Sequence, residues 1–285
     1  MPDTGEADQR ALAALRDKID ALDAEMQRLL IERGTVIDSL IRIKGTSGGT
    51  AEGAAQPGAA FRPMREAEMM RRFVARHTGR LPVTIVEHIW REIITTFTHI
   101  QAPFGVVIDT SVEPTRMRDL ARFAFGFSVD VRDVASPVDV VAAVAGANDL
   151  GVVARSARGA WWRGLTGVDA PKIIALLPFI AATKRPADLP AFVIAPPLTD
   201  TTPFDVAAVA LTVDGPMKTL PDLTILEVSG EDVLVAIPGP GDLSYLNTWL
   251  EDAGVHVRSV SAVGGFARGV TIDGRATALY AEVAR

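Results

Sequence analysis

The sequence predicts a multidomain chain, an all-α segment of three helices followed by an α/β region, and three observations carry that reading. From Leu12 to Ile43 apolar residues recur at spacings of three and four: Leu12, Leu15, Ile19, Leu22, Met26, Leu29, Val36, Leu40 and Ile43. Two further helical stripes follow before Pro103. From Gly105 the texture changes to short apolar runs alternating with Ala-rich stretches, the pattern of an open sheet carrying helices. At 285 residues the chain is long enough for more than one domain. The boundaries predicted are 1–103, 104–200 and 201–285.

Helix one is predicted over about Ala7–Lys44, its stripe being the seam of one long amphipathic helix or of a helix pair. Gly45–Ala60 (GTSGGTAEGAAQPGAA) has no periodicity and reads as a loop. Helix two starts near Pro63, a favoured first residue, carries Met69, Met70, Phe73 and Val74, and ends before Gly79. Helix three opens after Pro82, bears Ile85, Ile89, Trp90, Ile93, Ile94 and Phe97, and closes before Pro103. Helices two and three are too short to cover helix one within one subunit, which predicts pairing of two copies. Beyond residue 104, strands are predicted at Gly105–Ile108, Leu150–Ala154, Ile173–Leu176 and Ala191–Ala195, with helices at Pro114–Phe125 and Ser136–Ala145. A last unit has strands Val206–Val213, Leu223–Val228 and Val233–Ile237, the loop Pro238–Asp242, a helix over Leu243–Ala253 and a strand at Val255–Ser261.

Composition narrows the function. A hydrophobic fraction of 48% supplies a core, and with only 6% aromatic residues Ala, Val, Leu and Ile must fill it. The net charge of -6 and the lack of a dense Lys/Arg run argue against nucleic acid as a partner. With no cysteine, disulfides, thiolate nucleophiles and cysteine metal sites are excluded. Met1–Arg10 has no apolar run of the kind a secretory signal needs, and no stretch is apolar over about 18 residues, so a cytoplasmic protein without a membrane span is expected. His77, His88, His99 and His256 show no metal-ligand spacing, and His88 and His99 read as helix-surface residues. Gly239 and Gly241 lack the strand–GxGxxG–helix context of a dinucleotide site. Trp161-Trp162, beside Arg158 and Arg163, read as a packed loop in preference to a contact patch.

Arg33 falls on the seam of helix one where the spacing calls for an apolar residue. A guanidinium does not give up its charge, and burying it unpaired is very costly. It needs a carboxylate, supplied by the protein or by a ligand. Lys44 lies about 20° off the same face and roughly 16 Å along the axis, so the two side chains can grip one small anion. Arg16 sits about 25 Å before Arg33 and is rotated by roughly 100°, so it can join such a site only from a second copy of the helix. The competing reading pairs Arg33 with a glutamate of a partner helix and leaves Arg16 and Lys44 as solvated charges. Arg65 and Glu66 fall in the first turn of helix two, where Glu66 suits the positive end of the helix dipole; ordinary helix-start charges are the plainer account. Gln101 continues Trp90–Ile94–Phe97 at helical spacing and puts an amide where apolar residues precede it.

Taken in order, Leu15-Arg16-Asp17-Lys18-Ile19-Asp20, Glu32-Arg33, Lys44, Arg65-Glu66 and Gln101 resemble the helical, AroQ-type chorismate mutases, including the mutase part of bifunctional mutase–prephenate dehydratases. The resemblance covers roughly residues 8–102. It implies a dimeric, intertwined three-helix domain and an isomerase of aromatic amino-acid biosynthesis (the shikimate pathway). Such an enzyme converts chorismate to prephenate by an intramolecular 3,3-shift, without metal or cofactor. The implied roles place Arg16 of the partner subunit and Arg33 on the two carboxylates, with Lys44 donating to the ether oxygen and one carboxylate. Gln101 would donate to the same oxygen from the other side, Glu66 would accept from the ring hydroxyl, and Arg65 would contribute at that end. Two departures stand out: Phe97, where relatives often carry Ser, Thr or another small residue, and a loop between Lys44 and Phe61 longer than is usual.

Further on, Phe125-Gly126, Val138–Val144 and Leu150-Gly151-Val152-Val153 resemble the first lobe of prephenate dehydratase. Leu189-Pro190-Ala191-Phe192-Val193-Ile194 falls where that family carries Thr-Arg-Phe, without the hydroxyl or the guanidinium, and residues 155–188 are too few for a second lobe. The resemblance therefore implies a dehydratase-derived region inactive in that chemistry. Pro238-Gly239-Pro240-Gly241-Asp242-Leu243 and Gly254–Ser261 resemble an amino-acid-sensing ACT unit, which implies a phenylalanine or tyrosine effector. Ser261-Ala262-Val263-Gly264, however, stands in place of the Glu-Ser-Arg-Pro of dehydratase-linked versions. The competing functions are a bifunctional mutase–dehydratase using unrecognised residues, and a non-catalytic small-molecule-sensing dimer. Cations on a seam speak against the latter, since a pure dimer seam gains nothing from them.

Overall fold

The computed structural model describes residues 4–47, 58–240 and 243–272, without the side chains of 4, 5, 44–47 and 244. The chain divides into two units, Met1–Ala54 and Ala55–Arg285. The first contains α1 (Thr4–Ser47), a single unbroken helix of 44 residues, about 66 Å long. Of the two forms its spacing allows, one long helix is the one adopted. Arg28 supports it along one side, reaching Glu25 at 2.7 Å and Glu32 at 2.8 Å one turn either way. Eight of the nine apolar residues of the seam, all but Leu40, are 50–66% exposed in the single chain. Most of the stretch read as the loop 45–60 lies outside the described residues.

The second unit opens with α2 (Pro63–Arg76) and α3 (Val83–Gln101), both within three residues of their expected bounds. Then follow β1 (Val106–Asp109), α4 (Pro114–Phe125), β2 (Val131–Val134), α5 (Pro137–Val144) and β3 (Leu150–Ala154). A 3-10 turn at Trp161–Leu165 leads to β4 (Lys172–Leu177), β5 (Ile180–Ala182) and β6 (Ala191–Ala195). The last elements are β7 (Val206–Val213), β8 (Thr224–Ser229), β9 (Asp232–Pro238), α6 (Leu243–Asp252), β10 (Val257–Phe266) and β11 (Val270–Ile272).

Nine strands form one sheet in the order β2-β1-β3-β6-β4-β10-β7-β9-β8, and β5 pairs with β11 in a small parallel ribbon. Strands from both sides of residue 200 share the large sheet. Alternation along β1 shows how it is clad: Val106 and Ile108 pack with Met117 and Leu120 of α4. Val107 packs with Val140 and Val144 of α5 and with Trp161 and Trp162, which are buried as the packed-loop reading expected. Beyond residue 200, Val209 and Leu211 of β7 pack with Leu246 and Leu250 of α6. β2, β5 and β11 were not expected; β2 is an edge strand with two of its four residues exposed, so it lacks an apolar run, and β5 and β11 have only three residues each. β10 outruns its expected end because Gly264, at φ +121, passes so close to β4 that a Cβ would lie 2.1 Å from the Ile173 carbonyl oxygen.

α2 and α3 are packed onto this body. Ala67, Met70, Phe73, Trp90 and Ile94 meet Phe179, Ile180, Ala267, Val270 and Ile272 around the small ribbon. Arg71 of α2 donates to Asp205 Oδ2 at 2.5 Å and to the Arg268 carbonyl at 2.7 Å. Burial opposes ionisation of Asp205, but the Arg268 N–H and the Arg71 guanidinium outweigh it and hold the carboxyl below its usual range.

Two outcomes follow. Met70 is fully buried, so Met70→Ala should destabilise the chain by about 2–5 kcal/mol, read as a lower midpoint in urea denaturation. A carboxyl depressed on folding adds stability above its unfolded pKa and loses it as pH falls through the folded value. The deficit of Asp205→Asn against the native chain should therefore be full at neutral pH and shrink below about pH 4 in a pH series of thermal melts.

Candidate active site

Three of the six expected site residues lie on α1. Arg33 is half-buried and Arg16 is exposed, and the unbroken helix between them keeps the rotation of roughly 100° that separates their faces. Lys44 belongs to the same helix, on the face of Arg33, and its side chain lies outside the described residues.

The other three are in the second unit. Pro63 opens α2 because its fixed φ suits a first helical position, and this sets Arg65 and Glu66 in the first turn. Arg65 is exposed. Glu66 is not simple helix-start decoration, since its Oε1 accepts from Arg91 Nη1 of α3 at 2.6 Å. The Glu66 side chain remains 35% exposed, and a carboxylate has capacity on its second oxygen for a further donor. Gln101 ends α3 and donates through Nε2 to the Phe97 carbonyl at 3.0 Å, a bond within its own last turn. Phe97 and Gln101 are both half-buried.

Arg91 is the residue that the sequence reading missed. It is buried, and its Nε donates to Glu87 Oε1 at 3.0 Å. Burial disfavours its charge, yet the carboxylates of Glu87 and Glu66 more than offset this and hold the guanidinium above its usual value. The available signal was the row Thr84, Glu87, Arg91, Thr95, all buried, at helical spacing. The apolar stripe expected to face the core is less covered, with Ile89 40% exposed.

The histidines are corrected in detail. His88 is half-buried, stacked on Phe123 with centroids 5.0 Å apart, its Nδ1 3.2 Å from the Phe123 carbonyl. His99 Nδ1 accepts from the Phe104 N–H at 3.2 Å. Both tie α3 to the sheet body where plain surface positions were expected. Among the described residues no cluster of three metal-ligating side chains occurs, and no helix is long and apolar enough to cross a membrane.

The expected cations are on α1, the carboxylate on α2 and the amide at the end of α3. Residues 15–102 match the family model of chorismate mutase type II. Among curated relatives, the bifunctional chorismate mutase/prephenate dehydratase of Stutzerimonas stutzeri is 33% identical over 149 residues, 52% of this chain and 39% of that one. Its counterparts from Pseudomonas aeruginosa (31% over 148 residues, 52% and 39%) and Neisseria gonorrhoeae (32% over 91 residues, 32% and 22%) are also similar. The chain thus spans less than half the length of the curated relatives it matches. A solved structure, the prephenate dehydratase of Streptococcus mutans, aligns with 58% of this chain and 99% of that one at 11% identity and a TM-score of 0.30.

Proposed function

We propose that the chain is a chorismate mutase, working as a cytoplasmic homodimer that rearranges chorismate to prephenate. The observation that carries this is the family match over residues 15–102, which spans Arg16, Arg33, Lys44, Arg65, Glu66 and Gln101 together. The rearrangement breaks the ether C–O bond as a C–C bond forms in the same molecule, so it needs no nucleophile and no proton transfer. The protein has two tasks: holding the compact chair-like conformer, and stabilising negative charge that builds on the ether oxygen. Arg33 and the Arg16 of the partner subunit suit the two carboxylates, because guanidinium offers a two-pronged grip. Lys44 supplies a point charge and Gln101 an amide donor for the ether oxygen. Glu66, already held by Arg91, accepts the ring hydroxyl, and Arg65 lends charge at that end.

Support for the dimer comes from the seam of α1, 50–66% exposed at eight apolar positions, a surface a monomer does not ordinarily leave open. A second α1 matches it in length and would bring Arg16 to the other copy's Arg33. We assign no dehydratase activity to the α/β region. Where that family carries Thr-Arg-Phe, Ala191 and Phe192 are buried apolar residues of β6, which offer neither hydroxyl nor guanidinium. A phenylalanine or tyrosine effector belongs to the same proposal. It rests on the ACT-like likeness of the last unit, of which Gly241 and Asp242 lie outside the described residues.

Chorismate consumption followed spectroscopically on the intact chain tests the proposal, and a chain that leaves chorismate unchanged refutes it. Arg33→Ala and Lys44→Ala should each lower kcat/KM by about two orders of magnitude or more. Mixing Arg16→Ala with Arg33→Ala subunits should regain part of the activity, since one of the two shared sites then keeps both cations; verified mixed dimers that stay inactive would exclude site sharing.

A further inference from the structure

The innermost face of α3 is polar, and its charges alternate with those of two other segments. Arg91 joins Glu66 through Nη1 and Glu87 through Nε, at 2.6 and 3.0 Å. The second oxygen of Glu87, Oε2, lies 3.2 Å from Nη1 of Arg185, in the segment between β5 and β6. Arg185 is itself fixed: it donates to the carbonyls of Ile180 and, at 3.0 Å, Pro186, and its guanidinium lies 4.9 Å from the centroid of the Phe123 ring. The side chains of Glu87 and Arg185 are 1% and 2% exposed, so neither can turn to solvent instead. Glu66 is the one well-exposed member of the row.

We propose that Arg185 is a positioning residue for Glu66, acting through Glu87 and Arg91, so that the α/β region sets the carboxylate that receives the ring hydroxyl. This rests on the mutase reading. Arg185 occupies one oxygen of Glu87 and leaves the other for Arg91 Nε. With Arg185 removed, both Glu87 oxygens turn to Arg91 and take its guanidinium as a two-pronged pair. Nη1 is then drawn from Glu66, whose carboxylate loses the donor that orients it.

A double-mutant cycle on the full chain tests this, with chorismate conversion and a thermal melt for every variant. Arg185→Gln should lower kcat/KM roughly tenfold when Glu66 is present and cause no further loss in the Glu66→Gln background. Arg185→Lys keeps the charge and serves where the Gln variant does not fold; its expected loss is about threefold, again absent without Glu66. Equal losses in both backgrounds, or none with Glu66 present, overturn the proposal and leave the mutase reading standing. An inactive native chain defeats both, so the two failures are distinguishable.

Discussion

A guanidinium inside a protein has to meet a carboxylate, and that requirement fixes how α3 sits on the sheet. The apolar contacts around Met70 and Trp90 supply attraction without direction, and several small rotations of α3 would bury similar area. Glu87 and Arg91 remove that freedom. The docking adopted brings Glu87 to Arg185 while Arg91 reaches Glu66. Such a row adds little net stability, because desolvation consumes most of the Coulombic gain, but breaking it typically costs about 3–5 kcal/mol. Its value lies in selecting one arrangement.

α1 poses the opposite problem. Its apolar seam is exposed along nearly its whole length, and an isolated helix draws little stability from its own backbone. Gly34 in its interior weakens it further by about 1 kcal/mol relative to alanine. Such a helix gains most of its stability from a partner surface of equal length, which under the proposed dimer is a second copy. The charges on the two units therefore differ in kind. Those of α3 lie in its buried row, whereas Arg28 of α1 pairs with Glu25 and Glu32 along an exposed face.

Much of this was legible in the sequence, and the reason is periodicity. The stripes from Leu12 to Ile43 and the Pro63 and Pro82 helix starts define α1 to α3, and ten of the fourteen described strands and α-helices beyond residue 104 fall within two residues of expectation, β2, β5, β10 and β11 being the exceptions. The candidate site residues on these helices were chosen through order and spacing. Arg91 was not, because a Glu and an Arg four residues apart on a helix ordinarily form a solvated pair. What makes Glu87–Arg91 different is Arg185, some hundred residues later, and no local pattern announces a partner at that distance. Ile85, Ile89 and Ile93 also offered a competing apolar stripe that masked the polar one.

The same geometry gives the α/β region a use that needs no chemistry of its own. β6 lies between β3 and β4, all five of its residues are buried, and Ala191 and Phe192 there serve only packing. A fully buried inner strand of this kind serves as support for what packs on the sheet. The parts of the region that touch the helices include Phe123, Phe179, Ile180, Arg185, Asp205 and the β5–β11 ribbon. Those contacts demand a rigid support beneath them, which a nine-stranded sheet provides without any ligand. Under the mutase reading, the sheet determines how firmly a carboxylate is held for the rearrangement.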